Sequence, residues 1–348
     1  MEYENVSEMS DNYTMGTEVE VGAEAEADSY GDVWVYAIEV TLGIVGTVGN
    51  IFVVLIILRA KFLHNMTNYL ILNLAVADLA ASLCLIFNVF LVETGTVRPP
   101  AGGLLAGEIY CRIYGSLNLF WVSVTASVYT LIVVTLERFF AIVYPLHYNL
   151  YFTSRRVALF VGLTWLVAVL QELFAFFINS YDPVEQDCKF GFPSQAARIT
   201  VGLFVFLSSY FCPICVMIWA YYKIMRNLKQ SARSLMSNRT EDPAYALLRA
   251  RRKIVQVLFT VVMAFLVLWT PNQVVYLFEN FGVTLVPTDH IVYSIFRMMA
   301  FSNSVINPII YAFKYKQFRK GFRVLMCSAC GMANSVGSGH TDLSNTVS

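Results

Sequence analysis

The chain has 348 residues and equal numbers of basic and acidic side chains, 24 of each, so its formal net charge is zero. Apolar residues make up 57% of the chain and charged residues only 14%, whereas soluble globular domains contain about 45–50% and about 25% respectively. This composition excludes an ordinary soluble fold and favours a protein that crosses a membrane several times, and we expect no nucleic-acid partner.

The first 32 residues contain ten acidic residues, no Lys or Arg, and few large apolar side chains. Such a composition is typical of disordered chain. Sequons at Asn5 and Asn12 predict N-glycosylation, so residues 1–33 are interpreted as a disordered, glycosylated arm. Because this segment lacks a basic start followed by an apolar stretch, we expect no cleaved signal peptide, and the first span must direct insertion.

Seven apolar windows follow the arm, and a helix of that length, at about 1.5 Å per residue, crosses a hydrocarbon layer of about 30 Å. The windows lie near residues 34–58, 68–92, 110–136, 157–178, 199–222, 254–278 and 290–313. They predict an all-α membrane protein whose residues 34–313 form a bundle of seven transmembrane helices.

The distribution of Lys and Arg predicts the orientation of this bundle. Nineteen of the 24 basic residues lie in the connections after the first, third and fifth windows and in the C-terminal tail. Short cytoplasmic loops collect basic residues, so we expect a multi-pass protein of the plasma membrane with its N-terminus outside and its C-terminus in the cytoplasm.

Two of the seven cysteines, Cys111 and Cys188, are the only ones that fall in the predicted extracellular segments. Because that compartment is oxidising, we predict a disulfide that ties the second extracellular loop to the outer end of the third span. Two free thiols are the alternative.

Asp78 is the only acidic residue near the middle of a predicted span, where a charge costs at least about 2.5 kcal/mol and usually marks a function. Ser127 on the third span could reach it, and so could Asn303 and Asn307, which share one face of the seventh. This polar cluster predicts a site for a small cation or a proton. A hydrogen-bonded network that only holds the helices together is the alternative.

Prolines interrupt the last three predicted spans, at Pro213, Pro271 and Pro308, and each removes an amide donor and favours a bend. Trp269 lies two residues before Pro271, and Phe265 lies one turn earlier. A large ring beside a bend can couple the contents of a cavity to helix movement, although a static kink is equally compatible with the sequence.

The C-terminal region begins with a basic segment, residues 314–326, in which Phe318 and Phe322 are four residues apart. This spacing predicts a short amphipathic helix on the cytoplasmic surface of the membrane, in contact with lipid. Palmitoylation is expected at Cys327 and Cys330. Residues 327–348 are polar and rich in Ser and Thr, which predicts a disordered tail open to phosphorylation.

Short motifs along these spans together resemble those of rhodopsin-like (class A) G-protein-coupled receptors. They are GN at 49–50, LAVAD at 74–78, ERF at 137–139, Trp165, WTP at 269–271 and NPIIY at 307–311, together with Cys111, Cys188, Pro213 and Tyr221. The resemblance covers about residues 34–326, and within it residues 301–322 are most similar to the group that contains the galanin, allatostatin and kisspeptin receptors.

The resemblance implies a receptor, not an enzyme, that activates a heterotrimeric G protein through outward movement of the sixth helix. Arg138 would be held by Glu137 at rest and released on activation, and Tyr221 and Tyr311 would steady the active state. This chain has Glu-Arg-Phe where the family usually has Asp-Arg-Tyr, and residues 251–253 are basic where many members have a second acid. We therefore expect a weaker resting latch.

The same resemblance assigns further sites and partners. Its allosteric sodium site would comprise Asp78, Ser127, Asn303 and Asn307. Its activation switch would comprise Phe265, Trp269 and Pro271. No other cofactor is implied, and the expected cytoplasmic partners besides the G protein are arrestin and receptor kinases.

The ligand class is inferred from the outer half of the bundle. Phe120 stands where amine receptors carry an aspartate and Phe301 where opsins carry the retinal lysine, so both ligand classes are disfavoured. The candidate ligand-binding residues are Asn88, Phe120, Trp121, Gln171, Glu172, Asn272, Gln273, Tyr276, Glu279 and Arg297. Their mixture of amides, aromatic rings and both charge signs favours a peptide, although Arg297 could instead pair internally with Glu39 or Glu172.

Other functions are weighed against this one. A receptor of the same fold for a small molecule or a lipid is the nearest alternative. A transporter would show repeats, paired interrupted helices and more charges in the spans, and an intramembrane hydrolase would need a second aspartate or a serine with a histidine. The sequence contains neither pattern, and a channel has no supporting motif.

Overall fold

The computed structural model describes the backbone of residues 8–90, 103–237 and 243–329, and the side chains of residues 33–90, 103–233, 248–249 and 251–326. Within these ranges the helices are α1 (Glu8–Arg59), α2 (Met66–Asn88), α3 (Leu104–Ile109), α4 (Asn118–Val143), α5 (Tyr148–Tyr151), α6 (Ser154–Ile178), α7 (Gln195–Phe206), α8 (Cys212–Ser237), α9 (Pro243–Asn280), α10 (Ile291–Phe301), α11 (Asn303–Lys314) and α12 (Lys316–Ala329).

Six helical stretches in the described ranges are long and apolar enough to cross a membrane. They are Val33–Arg59, Met66–Asn88, Leu104–Val143, Ser154–Ile178, Gln195–Arg233 and Arg251–Asn280. The seventh span consists of α10 and α11, which are separated at Ser302. The predicted seven-helix bundle is confirmed, and its last member is divided into two helices, the second of which carries the buried polar side chains of Asn303 and Asn307.

The third and fifth spans each contain a wide helical turn that the sequence analysis did not predict, at Tyr110–Gly115 and Leu207–Phe211. Pro213 follows the second of these turns, and it has no amide hydrogen to donate to the carbonyl of Ser209 one turn earlier. The missing bond accounts for the looser winding of the helix at this point.

A β-hairpin at one end of the bundle departs from the predicted all-α fold. Strand β1 (Asn179–Asp182) pairs antiparallel with β2 (Asp187–Phe190), with Tyr181 opposite Cys188. The predicted disulfide between Cys111 and Cys188 is present and ties β2 to the third span. Strands of four residues are too short to produce a recognisable alternation, so no pattern in the sequence indicates this hairpin.

The hairpin also packs closely on the helix that it covers. A Cβ atom added at Gly107 would lie 2.4 Å from the ring of Tyr181, so only glycine allows this approach. Across the hairpin, a hydrogen bond from the Lys189 ammonium lowers the pKa of Asp182 to about 2. The end of the bundle that carries these strands is called the hairpin end below, and the opposite end is called the Arg138 end.

Helix α12 lies at the Arg138 end, where the sequence predicted an amphipathic helix at 314–326. Phe318 is buried with its ring centroid 6.0 Å from that of Tyr311, and Phe322 meets Phe52 edge to face at 5.9 Å. The apolar side of α12 therefore packs partly on α1, and its contact with lipid stays a prediction. The side chains of Cys327 and Cys330 and the tail at 330–348 lie outside the described residues.

The predicted arm at residues 1–33 overlaps the beginning of α1, whose helical backbone starts at Glu8. The arm contains seven Glu, which favour helix, whereas its high net charge favours disorder. Its side chains up to residue 32 lie outside the described part, so the disorder of the arm and the sugars at Asn5 and Asn12 stay predictions.

Candidate functional site

Two adjoining cavities open between the helices at the hairpin end. The larger, of about 430 Å³, lies between α4, α6, α7 and α9 and is bordered by Phe190 of β2. The smaller, of about 130 Å³, lies between α1, α2, α4, α9 and α10. The residues common to both linings are Trp121, Asn272, Tyr276 and Glu279. The two cavities are therefore compartments of one opening, divided by side chains of α4 and α9.

Eight of the ten predicted ligand-binding residues line these compartments. They are Asn88, Trp121, Glu172, Asn272, Gln273, Tyr276, Glu279 and Arg297. Phe120 does not line them, because its ring is buried edge to face against Trp121 and Phe301, with centroids 5.2 and 5.0 Å away. Gln171 does not line them either, because its buried amide is bonded to Tyr129, Ser209 and Glu172.

Several lining residues were missed by the sequence analysis because they lie in or beside the hairpin and at helix ends. They are Phe174, Asn179, Phe190, Phe192, Arg198 and Asn280. Phe174 falls inside a predicted apolar window but carries no polar group that would mark it, and the other five lie outside the windows.

Arg297 forms the internal ion pair that the sequence analysis considered as an alternative. Its Nη2 atom lies 2.8 Å from Oε1 of Glu39 on α1, and the Glu39 side chain is only 1% exposed. The Arg297 side chain is 31% exposed and also lines the smaller compartment. Arg297 therefore joins α10 to α1 while one side of it faces the cavity.

The predicted switch residues lie between the larger compartment and Pro271 of α9. Trp269 lines that compartment, and its ring lies 6.4 Å from the ring of Trp121 and 6.2 Å from that of Phe265. Phe265 is fully buried, and Pro271 lies inside the same helix. A ligand that fills the compartment therefore meets the ring that lies two residues before Pro271.

The polar cluster around Asp78 assembles largely as predicted. The fully buried carboxylate accepts hydrogen bonds from Ser127 at 2.8 Å and from the Asn307 amide at 2.7 Å. Asn303 is buried too, but no hydrogen bond joins it to Asp78 in the described part of the chain. The Asn307 Oδ1 atom is buried and has no hydrogen-bond partner among these residues, so the cluster offers carboxylate, hydroxyl and amide oxygens suited to a small hard cation.

At the Arg138 end the predicted latch is present and contains more residues than expected. Arg138 donates to the carboxylate of Glu137, which is fully buried, and also to Thr67 on α2. Glu137 accepts further hydrogen bonds from Thr67 at 3.1 Å and from the Tyr148 hydroxyl at 2.6 Å. Burial and the bond to Glu137 raise the pKa of Tyr148, so its hydroxyl stays a proton donor.

Sequence analysis missed Thr67, which lies on α2, and Tyr148, which lies on α5 beyond the end of α4, so neither shares a helix with Glu137. The hydroxyl groups of Tyr221 and Tyr311 are buried and have no hydrogen-bond partner among the described residues. The basic residues at 251–253 are exposed and border a cavity of about 900 Å³ between α8 and α9 through Arg252 and Lys253. This inner cavity and the latch lie at the end of the bundle opposite the hairpin.

Comparison with known proteins gives consistent matches over most of the chain. The sequence profile described as 7 transmembrane receptor (rhodopsin family) matches residues 49–311. The chain is 31% identical over 304 residues to galanin receptor type 2 of Homo sapiens, covering 85% of this chain and 73% of that receptor. It is 30% identical over 303 residues to the allatostatin-A receptor of Bombyx mori, covering 82% and 77%. It is also 28% identical over 300 residues to a Gq-coupled rhodopsin of Mizuhopecten yessoensis, covering 82% and 58%.

Proposed function

Because the chain belongs to the rhodopsin family of seven-transmembrane receptors, we propose that it binds a neuropeptide at the hairpin end and activates a heterotrimeric G protein at the Arg138 end. As a member of this family it is a receptor and not an enzyme. The observation that carries the proposal is the position of Trp269, which lines the larger compartment and lies two residues before Pro271, where a proline favours a helix bend.

A peptide ligand is supported by the shape and chemistry of the opening. Two joined compartments of about 430 and 130 Å³ present aromatic rings, amides and both charge signs. The named galanin and allatostatin-A receptors are among the similar proteins. A small molecule or lipid is the rival class, but Phe301 stands where opsins carry the lysine that binds retinal, so a retinal Schiff base has no attachment at that position.

Activation is proposed to run from Trp269 through the bend in α9 to the latch. Displacement of the ring by a bound peptide would favour a straighter α9, whose far end then moves away from α4. The hydroxyl groups of Tyr221 and Tyr311, which are buried and have no hydrogen-bond partner among the described residues, could bond Arg138 or water after such a movement. The basic residues of the inner cavity, among them Arg252 and Lys253, would border the G-protein contact.

The proposed orientation places the hairpin end outside the cell. The predominance of basic residues in the connections at the Arg138 end supports it, and so does the disulfide between Cys111 and Cys188, which needs an oxidising compartment. Arrestin and receptor kinases remain expected partners of the tail, which lies outside the described residues.

The proposed function predicts that an extracellular neuropeptide accelerates nucleotide exchange on a G protein in membranes that contain this chain. A panel of amidated galanin-type and allatostatin-type peptides should include at least one that does so. Trp269→Leu should lower the response at least tenfold, because it removes the ring beside the bend, whereas Trp34→Leu, on an exposed position of α1, should not. Peptide-independent solute flux through purified protein, without nucleotide exchange, would support a transporter or channel instead.

We further propose that the Asp78 cluster binds an allosteric sodium ion, held by the oxygens of Asp78, Ser127 and Asn307. The bound ion would balance the charge of the buried carboxylate and favour the resting arrangement of the helices.

Replacing potassium by sodium at about 0.15 M should therefore raise the melting temperature of the purified protein. Asp78→Asn should abolish this difference. Ser82→Ala should keep it, since Ser82 bonds only the backbone carbonyl of Asp78. Equal sodium effects in all three proteins would contradict the site.

A further inference from the structure

The larger compartment contains a carboxylate that has no basic partner. Glu172 lies on α6, about six residues and hence about 9 Å from the hairpin end of that helix. Its side chain is 6% exposed and accepts hydrogen bonds from Thr125 at 2.8 Å and from the Gln171 amide at 3.1 Å. Among the described residues no Lys or Arg forms an ion pair with it. Two neutral donors satisfy its hydrogen bonding but leave its charge without a counter-ion.

A second acceptor faces the same compartment without a partner. Gln273 on α9 is 6% exposed and lines the compartment, and its Oε1 atom has no hydrogen bond among the described residues. Buried carbonyl oxygens are normally paired, so an unpaired one that lines a cavity indicates a missing donor. Glu172 and Gln273 lie on different helices, and each indicates independently a ligand group that donates hydrogen bonds.

The walls and the charges of the compartment suit a cation. Its aromatic lining residues are Trp121, Phe174, Phe190, Phe192, Trp269 and Tyr276. Aromatic faces attract ammonium and guanidinium groups, and do so more strongly where water is excluded. Glu172 and Glu279 outnumber the single basic lining residue, Arg198, which lies in the first turn of α7 near the rim.

We propose that this compartment binds a positively charged group of the peptide, a guanidinium or an ammonium, with Glu172 as its counter-ion and the Gln273 Oε1 atom as a second acceptor. The inference rests on the proposed function, because the charged group is taken to belong to the peptide ligand. The counter-ion of the ligand cation, Glu172, then lies on the fourth span. The third span has an apolar ring, Phe120, at the position where amine receptors carry their aspartate.

The test uses two small probes on the purified full-length chain, arginine amide and citrulline amide, which have nearly the same shape and differ in the charge of the side-chain head group. Arginine amide should raise the melting temperature with a saturable concentration dependence, and citrulline amide should raise it far less. Glu172→Gln should lower the apparent affinity for arginine amide, read from the concentration dependence of the melting temperature, at least tenfold. Glu172→Asp should retain part of that affinity. Glu185→Gln, on a side chain that is 64% exposed on the hairpin, should leave it unchanged.

Equal shifts with the two amides, or an undiminished shift in Glu172→Gln, would overturn the inference. If Glu172→Gln does not fold, Gln273→Leu takes its place, and it should weaken the arginine-specific shift several-fold because the second acceptor is lost. An unchanged shift in Gln273→Leu would also count against the site.

This assay needs no G protein, so it separates the inference from the proposed function. If arginine amide raises the melting temperature but no peptide drives nucleotide exchange, the cation site is supported and the proposed coupling to a G protein is contradicted. If a peptide that has no basic group signals through Glu172→Gln with unchanged potency, the proposed coupling to a G protein is supported and the cation site is overturned.

Discussion

Arg138→Ala is expected to abolish G-protein activation while leaving peptide binding measurable. Arg138 lies at the end of the bundle opposite both compartments, so its loss removes no contact with the ligand. The buried carboxylate of Glu137 keeps hydrogen bonds from Thr67 and Tyr148 but loses its counter-ion, so the variant should also be less stable than the unmodified chain. Nucleotide exchange on membranes with matched receptor levels, measured beside peptide binding, checks both parts.

Two variants at the same latch should act in the opposite direction. Tyr148→Phe removes one hydrogen bond to Glu137, and a net loss of about 0.5–1.5 kcal/mol corresponds to a rise in basal exchange of about two- to tenfold. Thr67→Val should have a similar effect, since Thr67 contacts both members of the pair. Arg155→Ala, which changes an exposed basic residue in the first turn of α6, is the matched control and should behave as the unmodified chain. Normal peptide-driven exchange in Arg138→Ala would contradict the assignment of the latch.

Arg297→Ala is expected to cause the largest loss of stability among single changes at the hairpin end. The variant leaves the carboxylate of Glu39, 1% exposed, without its partner at 2.8 Å. Breaking a buried pair in this way costs about 3–5 kcal/mol in soluble proteins, and we expect the lower part of that range because the Arg297 side chain is 31% exposed. The readouts are the melting temperature in detergent and the amount of receptor at the cell surface.

A double variant distinguishes the pair from a direct role in ligand binding. Glu39→Gln combined with Arg297→Gln replaces both charges by neutral amides and should recover most of the lost stability. Peptide binding that remains weak in this stable double variant would assign a ligand contact to Arg297, in addition to the pair. Lys189→Ala breaks an exposed pair with Asp182 and should change the melting temperature very little. A double variant as unstable as Arg297→Ala would count against the pair as the cause.

Local sequence patterns were sufficient for the parts of this protein that depend on single segments. The apolar windows predicted the seven spans, because the thickness of a bilayer fixes how long such a window must be. The positions of Cys111 and Cys188 predicted the disulfide, since the remaining five cysteines lie in spans or in the tail. Asp78 was identified for the same reason, as a single acid in an apolar surrounding.

The sequence predicted the ligand-binding residues less well where two adjacent residues of one helix could each face the cavity. Gln171 and Glu172 are adjacent on α6 and were both expected to contact ligand. Glu172 lines the larger compartment, whereas Gln171 points towards Tyr129 and Ser209. The rotation of α6 about its own axis decides which of the two side chains faces the compartment. The sequence of a single helix does not determine that rotation.

The sequence by itself therefore determined the number and extent of the spans, the candidate disulfide and the chemistry available near each end of the bundle. Only the tertiary structure decided that Arg297 pairs with Glu39, that Thr67 and Tyr148 complete the latch, and that Trp121, Tyr276 and Glu279 border two compartments. The physical reason is that transfer into a bilayer depends on the composition of each segment alone, whereas contacts between helices depend on how neighbours rotate and bend against one another.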